Sequence, residues 1–173
     1  DRSVAITWAE FAADIEATAW LVRKYAPGGT IALLGENSYE WISAHAACIF
    51  AGAVVVPLDV SLSAAEIAEL LKFVGASALV HSSLFAGKAH EVGRLLPGLV
   101  IRAFGSKLSE GFINQGHKEI AAGEKGIFDL PPPDDTSVSM IMFTSGTTSR
   151  PRGAEWTMAG MAVFREYWAS QLK

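Results

Sequence analysis

Cysteine is nearly absent from this sequence: Cys48 stands alone among 173 residues. A lone thiol cannot close an internal disulfide, which removes the disulfide-stapled scaffolds and fits a reducing compartment, so a cytoplasmic location is expected. Cys48 lies in the small apolar run AHAACIFAGA and reads as a core residue rather than a nucleophile. Charge is sparse as well. Charged residues make up 18% of the chain, the net charge is -4, and there is no basic tail or stripe. That pattern lacks the electrostatic footprint of a nucleic-acid binder.

Long apolar runs are missing too. The longest, Ala44 to Leu58, is broken by Gly52 and Pro57 and is too short to cross a bilayer, so no transmembrane segment is expected. The opening DRSVAITWAEF has no basic stretch followed by an apolar one, the mark of a secretory leader. His81, His90 and His117 are scattered without metal-ligand spacing, and His45 on an apolar helix face reads as a core residue, so no metal ligands are assigned. Repeats and low-complexity tracts are absent. Asp1 is not an initiator methionine and the chain stops at Lys173 inside a helical pattern, so both ends are expected to be cuts.

What is present is apolar sequence in short, regular pieces. Half the residues are hydrophobic, enough for one domain with a sizeable core. Thr7 and Glu10 form a capping-box pattern, followed by Trp8, Phe11, Ile15, Ala19 and Val22 at helical spacing up to Pro27-Gly28-Gly29. Thr30 to Leu34 reads as a buried strand. Asn37 and Glu40 repeat the cap and open a helix through Phe50; Ala53 to Val56 is a second strand closed by Pro57. Ser63 and Glu66 cap a third helix with Ile67, Leu70, Leu71 and Val74 on one face, and Ser77 to Val80 is a third strand. Further along, the pattern predicts a helix near Phe85 to Leu95, a strand at Leu99 to Ala103 and a helix near Leu108 to Ala122. Strands that are apolar throughout, alternating with helices, predict an α/β fold: a mostly parallel sheet flanked by helices on both faces.

A stiff connector, Pro131-Pro132-Pro133-Asp134-Asp135, leads into the apolar strand Ser137 to Phe143. That strand runs directly into Thr144-Ser145-Gly146-Thr147-Thr148-Ser149-Arg150-Pro151-Arg152-Gly153. Hydroxyls, glycine-freed backbone N–H groups and cations are what a polyphosphate needs, and ligands of parallel sheets sit beyond the strands' carboxyl ends. Ser/Thr/Gly clusters also mark plain surface loops, and this one is not a Walker loop, since no lysine-serine pair follows at the required spacing.

The run TSGTTSRPRG resembles the phosphate-loop signature of the adenylate-forming superfamily, TSGTTG, any residue, PKG. That superfamily comprises acyl-CoA synthetases, peptide-synthetase adenylation domains and luciferases. GENSYEW (Gly35 to Trp41), AGAVVVPLD (Ala51 to Asp59) and Ser63 to Leu71 follow the order and spacing of the same family's N-terminal region, and GENSYEW is closest in style to long-chain fatty acyl-CoA synthetases. The resemblance implies that Thr144, Ser145, Gly146, Thr147 and Thr148 hold the β- and γ-phosphates of ATP, and that Arg152 and Gly153 belong to the same nucleotide-binding site. It implies ATP, Mg²⁺ and coenzyme A, and conversion of a carboxylic, fatty, acid to an acyl-adenylate and then a thioester. Three positions depart from the pattern: Ser149 stands where the family has glycine, Arg152 replaces lysine, and Met158 replaces the usual histidine. An arginine fork does not reach as a compact ammonium does. By this resemblance residues 1–173 are a partial N-terminal domain, lacking the acyl pocket, the adenine and ribose motifs, the hinge and the mobile C-terminal domain. The chain alone is then expected to be inactive; the alternative is a non-catalytic module that keeps the fold for binding.

Overall fold

The computed structural model describes residues 5–105, 111–123, 134–144 and 152–171. In chain order the elements are α1 (Trp8–Tyr25), β1 (Thr30–Leu34), α2 (Tyr39–Phe50), β2 (Val54–Pro57), α3 (Ala64–Phe73) and β3 (Ala76–His81). A 3-10 turn (Ser83–Phe85) leads to α4 (Ala86–Leu95), β4 (Val100–Ala103), α5 (Phe112–Ala121), β5 (Val138–Thr144), β6 (Arg152–Thr157) and α6 (Met158–Gln171).

The strands form one six-stranded sheet in the order β4-β3-β1-β2-β5-β6. Every pairing from β4 to β5 is parallel, and only β6 runs antiparallel, against β5. Period-two alternation sends the sheet's apolar residues to two separate cores. Ile31, Leu33, Val55, Ala78 and Val80 pack with Leu21 and Val22 of α1 and Ala47 and Cys48 of α2. Ala32, Leu34, Val56 and Leu79 pack on the other face with Ile67 and Leu71 of α3 and Ala89 and Val92 of α4. Both faces are therefore covered, which is why these strands carry no polar alternation. Burying each large aliphatic side chain contributes about 1.5–3 kcal/mol, so the two cores dominate the fold's stability.

Local chemistry sets the helix starts. At α1 and α3 the capping boxes form as the sequence predicts. Thr7 Oγ1 accepts from Glu10 N–H while the Glu10 carboxylate accepts from Thr7 N–H, and Ser63 and Glu66 do the same. At α2 the cap is shifted by one residue from the expected Asn37: Ser38 Oγ accepts from Trp41 N–H at 3.1 Å. The serine hydroxyl sits three residues before Trp41, the spacing at which a cap reaches an unsatisfied amide.

α5 docks on α1 through a close approach that only glycine permits. A Cβ at Gly116 would lie 2.0 Å from the Ala17 carbonyl oxygen. Polar contacts line the same seam. Asp14 takes His117 Nε2 at 2.6 Å and the Tyr39 hydroxyl at 2.8 Å, and Glu119 accepts from Trp20 Nε1 at 3.0 Å and Lys24 Nζ at 2.8 Å. The predicted start of this helix, Leu108, lies outside the described residues; the helix itself begins at Phe112. Residues 131–133 of the proline connector also lie outside them.

His81 and His90 are not scattered, as their sequence positions suggest. β3 and α4 bring the two rings edge-to-face at 6.3 Å. His81 is buried and holds Ser82 O through Nδ1 at 2.8 Å, and burial pushes its pKa below the ordinary histidine value. His45 is half-buried and stacks on Trp41 at 5.3 Å, with its pKa lowered by desolvation. Cys48 is buried in the α2 core, as expected, and burial pushes its thiol up to about 12. Among the described residues no helix is long and apolar enough to cross a membrane.

Candidate functional site

β5 positions the site. Its Met140 pairs in parallel with Val55 of β2, so Thr144 ends at the same carboxyl rim as Leu34 of β1 and His81 of β3. The chain returns through β6, whose Arg152 is the register partner of Thr144, and Gly153 that of Phe143. The hydroxyl-and-glycine run is therefore anchored at both ends on one antiparallel hairpin at the rim. Ser145, Gly146, Thr147 and Thr148 lie outside the described residues, as does Ser149.

Gly153 has a packing role. An added Cβ would sit 2.7 Å from Ile141 Cγ2 and 3.5 Å from the Phe143 ring. The missing side chain leaves room on that face of the sheet for the side chains of Ile141 and Phe143, and the Phe143 ring meets Phe73 of α3 edge-on at 6.3 Å. Arg152 is exposed at the mouth of the hairpin, and no carboxylate among the described residues forms an ion pair with it. A cation there keeps its donors available for an anion.

The far end of the hairpin is fixed by hydroxyls. Ser139, buried in β5, donates from Oγ to Trp156 O at 3.0 Å, with Met161 Sδ of α6 at 3.1 Å. Thr157 Oγ1 accepts from Gly160 N–H at 3.1 Å, closing the first turn of α6, and Met158 N–H bonds Ser137 O at 3.0 Å. Met158, the departure from the family's histidine, thus begins α6 directly behind β6. Trp156 is half-buried, and the side chains of Phe164, Tyr167 and Trp168 lie outside the described residues.

Sequence reading finds the strand into the loop but not the strand out of it. Residues 152–157 carry one glycine, two charges and no apolar run, which hides β6. The usable signal is Thr157 three residues before Gly160, a helix cap that implies an element ending at Thr157. Among the described residues no group of three or more His, Cys, Asp or Glu side chains could hold a metal ion.

A family model described as AMP-binding enzyme matches residues 1–172. Among curated proteins, the chain is 33% identical over 159 residues to a feruloyl-CoA synthase of Amycolatopsis sp, covering 88% of this chain and 28% of that protein. It is 29% identical over 147 residues to long-chain-fatty-acid--CoA ligase 1 of Cavia porcellus, covering 75% of this chain and 20% of that one. The chain thus spans under a third of the length of these relatives. Among solved structures, a Mycobacterium tuberculosis fatty acyl CoA synthetase superposes with a TM-score of 0.76 over 97% of this chain and 32% of its own, at 20% identity. That likeness establishes a shared fold.

Proposed function

The chain belongs to the AMP-binding enzyme family, and from that premise we propose that it is the phosphate-loop-bearing part of an ATP-dependent acid–CoA ligase. One observation carries the reading: the TSGTTSRPRG run leaves and re-enters the sheet at its carboxyl rim, between the paired residues Thr144 and Arg152. Thr144, Ser145, Gly146, Thr147 and Thr148 supply hydroxyl and amide donors to the β- and γ-phosphates. Arg152 supplies positive charge beside them. Gly153 acts indirectly, by leaving room for the Ile141 side chain beside the strand that carries Thr144.

In the reaction a substrate carboxylate oxygen attacks the α-phosphorus of ATP and pyrophosphate departs with the bonding electron pair. The resulting acyl-adenylate is opened by the thiol of coenzyme A, and AMP leaves. A carboxylate is already a nucleophile, so the chain's contribution is positioning and charge stabilisation rather than proton removal. Mg²⁺ would enter with the nucleotide and would offset the negative charge of the departing pyrophosphate. Residues 1–173 form a partial N-terminal domain on this reading, and the chain alone does not complete the reaction. A fatty acid is the acid we favour, on the GENSYEW stretch and the Cavia porcellus relative, whereas the Amycolatopsis relative is named for an aromatic acid.

A chimera tests the reading. Residues 134–160 replace the matching hairpin of the Amycolatopsis feruloyl-CoA synthase, and carboxylate-dependent exchange of labelled pyrophosphate into ATP is measured. Retained exchange is the expected result. Loss of exchange in a chimera that folds and melts normally would instead mark the hairpin as a non-catalytic remnant.

A further inference from the structure

Two histidines that are nine positions apart in the sequence meet at the carboxyl end of β3. Side-chain alternation puts His81 on the same sheet face as Leu79, the face that α4 covers with Ala89 and Val92. α4 carries His90 on its surface, one residue past the buried Ala89. The ring centroids are 6.3 Å apart and the ring planes stand at 62°.

His81 is only 5% exposed, and a buried imidazole is costly unless its nitrogens find partners. Nδ1 lies 2.8 Å from Ser82 O. A carbonyl only accepts, so Nδ1 carries the proton and Nε2 of the neutral ring holds a lone pair. Desolvation lowers the pKa of His81, which keeps the ring neutral and that lone pair free near neutrality. Neither Nε2 of His81 nor a nitrogen of His90 has a hydrogen-bond partner among the described residues. None of the fully buried side-chain nitrogens and oxygens described lacks a partner, so Nε2 opens to solvent at the margin of the pair. An aliphatic side chain would fill this place without that unpaired nitrogen.

One ring N–H held by a backbone carbonyl, with the opposite nitrogen open, is the arrangement that metal-binding imidazoles use. The spacing fits as well. With metal–nitrogen bonds of about 2.1 Å the ion lies about 3.2 Å from each ring centre, so centres up to about 6.4 Å apart can share one ion. A tetrahedral angle brings the centres to about 5.2 Å, a shift that the exposed His90 side chain makes by turning about its own bonds. We propose that His81 and His90 form a two-histidine site for a borderline transition-metal ion, of which Zn²⁺ is the type, with water completing its coordination. Imidazole suits zinc, nickel and copper rather than magnesium or calcium, so this ion is distinct from any magnesium that enters with a nucleotide. Once bound, it ties α4 to the carboxyl end of β3. The assignment does not depend on the ligase reading.

NMR titration of the 173-residue chain with zinc chloride provides the test, with magnesium chloride in parallel. Zinc is expected to give saturable shifts at the imidazoles of His81 and His90 and at the amides of residues 81–82 and 89–91, and magnesium is not. His90→Gln, at an exposed position of α4, should weaken zinc binding at least about tenfold, since losing even an outer-shell partner of a ligand costs that much. His81→Gln should do the same; if it does not fold, His90→Gln decides alone. His117→Gln removes the histidine paired with Asp14 and should leave zinc affinity unchanged. No saturable shift at the two imidazoles, an equal response to magnesium, zinc shifts centred on His117, or unchanged affinity in His90→Gln each overturns the proposal.

Discussion

Thr144 and Arg152 are register partners across the β5–β6 hairpin, the last residue of one strand facing the first of the next. The pairing sets the two ends of the intervening run side by side at the carboxyl rim. Next to it, Gly153 leaves room for the Ile141 side chain on the same face of the sheet. Replacing Gly153 with Ala puts a methyl 2.7 Å from Ile141 Cγ2, whose β-branched side chain has little freedom to yield. A loss of about 1–3 kcal/mol is expected, as for other overpacked sites. Denaturant melts of the variant measure it, and an unchanged midpoint would contradict the close packing.

Two further glycines make a matched pair. Gly116→Ala drives a methyl into the Ala17 carbonyl of α1, so α5 must lift from its seat, whereas a Cβ at Gly87 in α4 meets nothing within 4 Å. Gly116→Ala should therefore destabilise by about 1–3 kcal/mol or more. Gly87→Ala should be neutral or stabilise by up to about 1 kcal/mol through helix propensity and the unfolded chain. Urea unfolding of both variants separates them; equal effects would mean that α5 does not pack where Gly116 places it.

The seam between α1 and α5 also gives the chain an acid response. The Lys24 ammonium, donating to Glu119, holds that carboxyl below the usual glutamate range, with Gln115 and Trp20 adding to the effect. A depressed folded-state pKa contributes stability above the unfolded value of about 4.3, and that contribution disappears as pH falls through the folded value. Melting temperatures of the native chain and Glu119→Gln are expected to differ near neutrality and to converge toward pH 3. A constant gap down to that pH would rule out the linkage.

Cys48 should be silent to thiol reagents. Its pKa of about 12 keeps it neutral at pH 8, and it is buried as well. Native chain is expected to react only as fast as it opens, with full reaction in denaturant. The raised pKa also predicts falling stability from pH about 8.5, the unfolded thiol value, upward toward 12. Prompt labelling of native protein would contradict the burial.

Much of this architecture is legible in the sequence because its signals are local. Caps at Thr7 and Ser63 and unbroken apolar strands at Thr30–Leu34 and Val54–Pro57 depend on neighbours a few residues away. Where meaning depends on distant partners, reading fails. Gly153 becomes informative only beside Ile141 and Phe143, and β6 is a strand because β5 pairs with it, not because Arg-Gly-Ala-Glu favours one. The contact between His81 and His90, and the bond from Ser82 to Glu36 across 46 positions, arise from strand order and leave no trace in spacing. The TSGTTSRPRG run is the opposite case: its pattern is local and stands out in the sequence, and the fold adds that Thr144 and Arg152, near its two ends, face each other at the rim.

The most direct measurement is an NMR titration of the 173-residue chain with MgATP, compared with AMP. Weak, millimolar binding of ATP is expected, with shifts concentrated at Phe143, Thr144, Arg152 and Gly153, little response to AMP, and a loss of the ATP response in Arg152→Ala. Shifts that are absent at those residues, or equal for ATP and AMP, would contradict a hairpin built to hold a triphosphate.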